Sequence, residues 1–139
     1  MEKEIFNAQI VNTQFGLADN DVLTFVLELK FDNGSCRFGG VPLGYYENKT
    51  EPNSEYLCFN FTPKLFLEIL HTVGCYCWEE LKGKFVRLRT NGEDGEKRAV
   101  EAIGNIITDN WFCLEEFFSR HMNNNQADQD VEEINQDDL

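Results

Sequence analysis

The stretch Val22-Leu23-Thr24-Phe25-Val26-Leu27-Glu28-Leu29-Lys30-Phe31-Asp32-Asn33-Gly34-Ser35-Cys36-Arg37-Phe38 decides the fold. Leu23, Phe25, Leu27, Leu29 and Phe31 stand at alternate positions, with Thr24, Glu28 and Lys30 among the residues between them. Successive side chains of an extended backbone point to opposite faces, so this spacing predicts a strand over residues 22–31 with one buried face. Asp32-Asn33-Gly34-Ser35 follows at once. An Asn-Gly pair supplies the positive φ angles that a two-residue hairpin turn requires, so an antiparallel strand is expected over residues 36–38. Gly39-Gly40 ends that strand or lets another backbone approach it closely.

Toward the N-terminus, residues 3–14 repeat the alternation, with Phe6, Ala8 and Ile10 set against Asn7, Gln9 and Val11. Residues 15–21, Phe-Gly-Leu-Ala-Asp-Asn-Asp, are rich in turn formers and join the two strands. Toward the C-terminus, residues 41–61 carry Pro42, Pro52 and several Asn and Glu without clear periodicity. They read as a long irregular connection, which in a compact domain is often functional.

Thr62-Pro63 opens a helix, with Thr62 as its N-cap and Pro63 at the first helical position. Leu65, Phe66, Ile69, Leu70 and Val73 recur at helical spacing, and Gly74 closes the helix. Residues 78–83 form a short helical turn ended by Gly83. A strand over residues 84–90, a loop over 91–95 and a return strand over 98–108 come next. Trp111-Phe112 leads into a last helix over residues 114–122, with Glu115 and Glu116 in its first turn. The fold class is therefore α+β: an antiparallel sheet of five or six strands, one main helix packed on it, the short turn and a C-terminal helix.

A chain of 139 residues, 42% of them hydrophobic and 12 of them Phe, can bury a core of its own as one domain, assigned to residues 1–122. The net charge is −13, and six acidic residues fall within residues 123–139, where no basic residue occurs. That segment cannot bury enough apolar surface to offset ordering, so it is expected to be a disordered acidic tail. No run of apolar residues reaches membrane-spanning length, and no apolar signal region follows Met1-Glu2-Lys3-Glu4. The chain is expected in the cytoplasm, with five free thiols and no membrane partner. So acidic a chain lacks the cationic surface that drives binding to nucleic acid, and none is expected to bind directly.

Catalytic patterns are sparse. Histidine occurs only at positions 71 and 121, and there is no phosphate-binding glycine loop, nucleophile elbow or His-Glu-x-x-His. Glu79 and Glu80 are adjacent and point apart on a helical turn. Cys75-Tyr76-Cys77 has a spacing seen in zinc sites but lacks a second close pair, so small buried apolar residues are the better reading. No catalytic residue, metal ligand or cofactor is assigned.

One local element runs against the overall charge. Lys82, Lys84, Arg87, Arg89, Lys97 and Arg98 lie in the second hairpin, six of the chain's 12 basic residues, beside only three acidic ones. On the strand, Phe85, Arg87 and Arg89 share one face while Val86 and Leu88 take the other, toward the core. Guanidinium groups grip phosphate through paired hydrogen bonds, and aromatic rings stack on bases. Asn105 offers an amide for a base edge. The candidate ligand-binding set is Phe15, Arg37, Phe85, Arg87, Arg89, Asn105 and Trp111. The competing reading is an ordinary solvated strand face whose cations pair with nearby carboxylates.

Several segments taken together resemble a family of small phage and prophage proteins. They are Phe15-Gly16-Leu17 with Asp19, Leu23-Thr24, Phe38-Gly39-Gly40, Trp78-Glu79-Glu80-Leu81-Lys82-Gly83-Lys84, and Ile103-Gly104-Asn105-Ile106-Ile107 with Trp111-Phe112. The family is the Thoeris anti-defence proteins of the first type, and the likeness spans residues 3–118. It implies a sponge that sequesters cyclic ADP-ribose signals, and in some members cyclic oligonucleotides, without cleaving them. It further implies an antiparallel sheet with helices inserted between later strands, dimers that build hexamers, and action in an infected bacterial cell. The resemblance assigns no ligand-contacting residue position by position. The other reading consistent with the charge is an acidic protein inhibitor that imitates nucleic acid and occupies a basic groove, in the manner of DNA-mimic anti-CRISPR proteins.

Overall fold

The computed structural model describes residues 4–47, 50–90 and 100–123. Its centre is the strand read first. Strand β2 (Leu23–Phe31) turns back on β3 (Gly34–Gly39), and Phe25, Leu27 and Leu29 are fully buried. The hairpin pairs Phe31 with Gly34, so its two loop residues are Asp32 and Asn33. Asp21 is the non-glycine residue with positive φ among those described, so the expected left-handed Asn33 is not what makes this turn. Gly39 behaves as expected of a close approach. Its φ is 116°, a Cβ there would lie 2.5 Å from the carbonyl oxygen of Phe25, and the Gly40 amide donates to that same oxygen.

Strand β1 (Ile5–Leu17) runs three residues past its expected end. Its residues 9–17 pair with β2 and its residues 5–9 pair with β6 (Phe85–Thr90), so it changes partner at Gln9. A register shift between Ile10 and Asn12 adds to the bend there. Two short strands, β4 (Gly44–Tyr46) and β5 (Tyr56–Cys58), replace much of the irregular connection expected over residues 41–61. They stay in place because the Leu23 amide donates to the Tyr56 hydroxyl at 2.6 Å and Thr24 Oγ1 donates to the Val41 carbonyl at 2.7 Å. The sheet then continues from β6 to β7 (Val100–Gly104) and β8 (Trp111–Cys113).

The order is β5-β4-β2-β1-β6-β7-β8 with β3 also on β2, eight antiparallel strands among the described residues, not five or six. The added strands are β4, β5 and β8. Trp111 and Phe112 are therefore strand residues, not the approach to a helix.

The sheet curls, which brings Phe38 of β3 to 6.0 Å from Phe112 of β8, ring centre to ring centre. Helix α1 (Thr62–Val73) buries Leu65, Ile69 and Val73 against the sheet, and α2 (Leu114–Asn123) adds Phe117. Each fully buried Leu, Ile or Phe of this core contributes roughly 1.5–3 kcal/mol. Pro63 sits in the first turn of α1 and Gly74 closes it in left-handed geometry, donating to the Leu70 carbonyl at 2.8 Å. The N-cap, however, is Phe61, without a side-chain cap. Thr62 is buried one residue inside, and its hydroxyl donates to the Leu43 carbonyl at 3.1 Å, which ties the helix to the β4 region instead. The turn Trp78–Glu80 is a single 3-10 turn, and Gly83 follows it at φ 94°.

Helix α2 reaches Asn123, one residue into the segment expected to be a tail. The rest of that segment, the loop at 91–95 and the basic residues Lys97 and Arg98 lie outside the described residues. Among the described residues no helix is long and apolar enough to cross a membrane.

Candidate functional site

Strand β6 builds the candidate site by simple alternation. Val86 and Leu88 are fully buried, and Phe85, Arg87 and Arg89 leave on the outer face. The neighbouring strand meets them with small residues, since Arg87 pairs with Gly104 and Arg89 with Ala102. On β8, Trp111 pairs with Gly104. Gly104 is required for this arrangement, because a Cβ there would stand 2.6 Å from the indole ring. With no side chain in the way, the Trp111 ring lies across the strand. The guanidinium carbons of Arg87 and Arg89 then sit 4.8 and 5.0 Å from its centre. Such cation–π contacts contribute about 0.5–1 kcal/mol each at exposed positions.

The two arginines are held differently. Arg87 donates from Nε to the Asn105 carbonyl and from Nη2 to the Thr108 carbonyl, both at 2.7 Å. Carbonyl oxygens orient the group without cancelling its charge, and no carboxylate lies in ion-pair range of Arg87 among the described residues. Arg89 donates from Nε to Glu101 Oε2 at 2.8 Å, in a pair that is mostly shielded from solvent. Glu101 comes within reach because the register shifts where Arg89 and Thr90 pair with Ala102 and Val100, which leaves Glu101 as the extra residue. Trp111 Nε1 donates to Asp109 Oδ1 at 3.0 Å and fixes the indole in its plane.

The remaining predicted residues do not join this cluster by their side chains. Asn105 is a structural clamp. Its Nδ2 donates to the Thr72 carbonyl at 3.0 Å and, more loosely, to the Val73 carbonyl at 3.5 Å, at the end of α1. Its Oδ1 accepts from the amides of Ile107 and Thr108 at 2.8 and 2.9 Å. An amide so occupied has nothing left for a base edge, although the Asn105 carbonyl serves Arg87. Phe15 lies on the inner face and stacks on Phe66 at 4.3 Å, with Trp78 edge-on at 5.9 Å. Arg37 is on the first hairpin, loosely paired with Glu28 at 3.5 Å. Phe85 is 58% exposed and lines a groove that the arginines do not line.

That groove, about 1380 Å³, opens where β1 leaves β2. A second one of about 720 Å³ lies on the first hairpin and includes Arg37. Cys36 lines both, and burial pushes its thiol up to about 11. Burial also raises the Cys75 thiol, whereas the exposed Cys77 is raised mainly by donating its proton toward Glu80 at 3.3 Å.

Reading the sequence missed three members of the cluster: Gly104, Glu101 and Asp109. Gly104 carried a usable signal, since an isolated glycine between strand residues marks a close approach. Glu101 and Asp109 carried none, because a bulge and a turn decide where their carboxylates point. Comparison of the chain with protein-family models, with curated proteins and with solved structures returns no match.

Proposed function

We propose that this chain is a binding protein that sequesters a small cyclic nucleotide signal without cleaving it, with the Arg87–Trp111–Arg89 cluster as the anchor. One observation carries the reading. Arg87 is oriented by two carbonyl oxygens and an indole face, yet is paired with no carboxylate among the described residues. A cation fixed in this way meets a phosphate at little entropic cost, and the outward ring beside it can stack on a base. Among the described residues Arg87 is the un-neutralised member of the pair, and Arg89 reinforces the field while keeping Glu101.

The cluster lies on an open outer face, and tight binding of a small ligand needs enclosure. The reading therefore requires a second copy of the chain laid over this face, so that the ligand is held between subunits in a dimer or a larger assembly. The phage anti-defence family that the sequence resembles supports the choice of cyclic ADP-ribose isomers as the first ligands to try.

Isothermal calorimetry against cyclic ADP-ribose isomers and cyclic dinucleotides tests the proposal. Binding of one of them is expected, with intact ligand recovered after heat denaturation. Arg87→Ala should abolish that binding while the far-ultraviolet spectrum stays unchanged. Undiminished affinity in Arg87→Ala and Arg89→Ala together would remove the cluster from the site.

A further inference from the structure

The groove at the foot of β1 has an origin that suggests its own occupant. Residues 5–8 pair with β6 on one side only; on the other side β2 has already diverged, and no described strand replaces it. The near wall of the groove is this strand, and the far wall is the tip of the first hairpin, residues 30–36. Phe6 and Phe31 meet edge-to-face at 4.9 Å on the inner side. A backbone edge left without a partner is a template for another strand. The cavity of about 1380 Å³ is larger than the usual range for small-molecule sites, which ends near 1,000 Å³.

The charge on the walls selects among occupants. Glu4 and Asp32 are acidic, Lys30 is basic, and the other lining residues are uncharged. Asp32 is exposed and forms no ion pair among the described residues. The chain as a whole carries −13. A phosphorylated ligand is disfavoured here, and a cationic one is drawn in.

We propose that this groove accepts an extended peptide of a partner protein, bearing Lys or Arg, that pairs with the edge of β1 at residues 5–8 that no described strand covers. Alternate peptide side chains would then turn inward onto Phe6 and Phe31 and outward past Asp32, so the motif alternates apolar and basic residues. The site is separate from the Arg87–Trp111–Arg89 cluster and does not depend on the nucleotide reading.

The test uses the full chain and fluorescein-labelled six-residue peptides that alternate Lys with Val, Leu or Phe. Matched probes replace Lys with Glu, or methylate the backbone nitrogens on the pairing edge. Anisotropy should show saturable binding of at least one Lys peptide, at least tenfold weaker binding of its Glu counterpart, and none of the methylated form. Hydrogen exchange of the Ile5 and Asn7 amides, which by strand alternation face away from β6, should slow at least tenfold on saturation, while those of Phe6 and Ala8, on the β6 side, should change little. Asp32→Asn, in an exposed turn, should weaken the Lys peptide several-fold without altering the fold. Failure of all three Lys peptides to bind below about 1 mM would overturn the proposal. So would equal binding of a methylated peptide. Slowed exchange that rises with protein concentration in the absence of peptide would assign the edge to a second copy and also overturn it.

Discussion

Replacing Gly104 by alanine tests whether the glycine exists to seat the indole. The new Cβ would fall 2.6–2.8 Å from three ring atoms of Trp111, closer than such atoms come, so the ring must move. Forcing a methyl group into such a contact costs about 1–3 kcal/mol. Displacing the ring also loosens both cation–π contacts, worth about 0.5–1 kcal/mol each. Against this, alanine in a strand gains roughly 0.5–1 kcal/mol over glycine, because less backbone freedom is lost on folding. The net expectation is a loss of about 1–4.5 kcal/mol. The informative measurement is the same substitution in a Trp111→Ala background. There the clash has no partner, and Gly104→Ala should be neutral or stabilising by about 0.5 kcal/mol. Urea unfolding followed by circular dichroism gives both values, and the coupling between the two positions should be about 2–5 kcal/mol, the clash and the two cation–π contacts together. If Gly104→Ala costs the same with and without the indole, the account of how Trp111 is placed between the two arginines is wrong.

Asn105→Ala should cost about 1–3 kcal/mol in urea unfolding, because the Thr72 carbonyl and the Ile107 and Thr108 amides lose their partner together. Asn105→Asp should cost more, since a carboxylate has no N–H for Thr72 and places negative charge at the C-terminal end of α1. Burial pushes the Cys36 thiol up to about 11 from its ordinary 9.0, so the folded chain holds its proton more tightly than the unfolded one. That stabilisation is complete below pH 9 and is lost as pH rises through 11; a stability–pH series should show the decline, and Cys36→Ala should lack it. Thiol labelling of the native chain should modify Cys58 and Cys77 first, Cys77 the slower for its bond to Glu80, while Cys75 and Cys113 wait for unfolding. Deleting residues 124–139 should leave nucleotide affinity unchanged in calorimetry; an inhibitor acting through an acidic tail would instead lose its salt-sensitive hold on a basic protein.

Long, strongly patterned segments were legible in the sequence because their signal is local. Leu23 to Phe31 alternate over nine residues, and only a sheet with one buried face explains that pattern. Pro63 and Gly74 bracket α1 because each fits a backbone geometry that other residues resist. The outward set Phe85, Arg87 and Arg89 followed from the same alternation, and the bracketing strand-formers Val86 and Leu88 fixed its direction.

What the sequence by itself determined is thus the alternation, the place of the hairpin and the Pro63 and Gly74 limits of the helix, which arise from preferences within a few residues, whereas the turn geometry at Asn33 and the cap at Phe61 departed from the local reading. Tertiary structure alone decided the rest. Strands β4, β5 and β8 have three residues each, too few to show a period, and exist because β2, β4 and β7 in turn offer them an edge. Asn105 became a clamp for α1 instead of a ligand contact because the end of β7 reaches Thr72, 33 residues away in the chain. Arg87, Arg89 and Trp111 meet because the β6–β7–β8 register places them on one face across Gly104. The groove exists because β1 exchanges β2 for β6 at Gln9. Register between distant strands is set by packing of the whole core, and no short window of residues contains it.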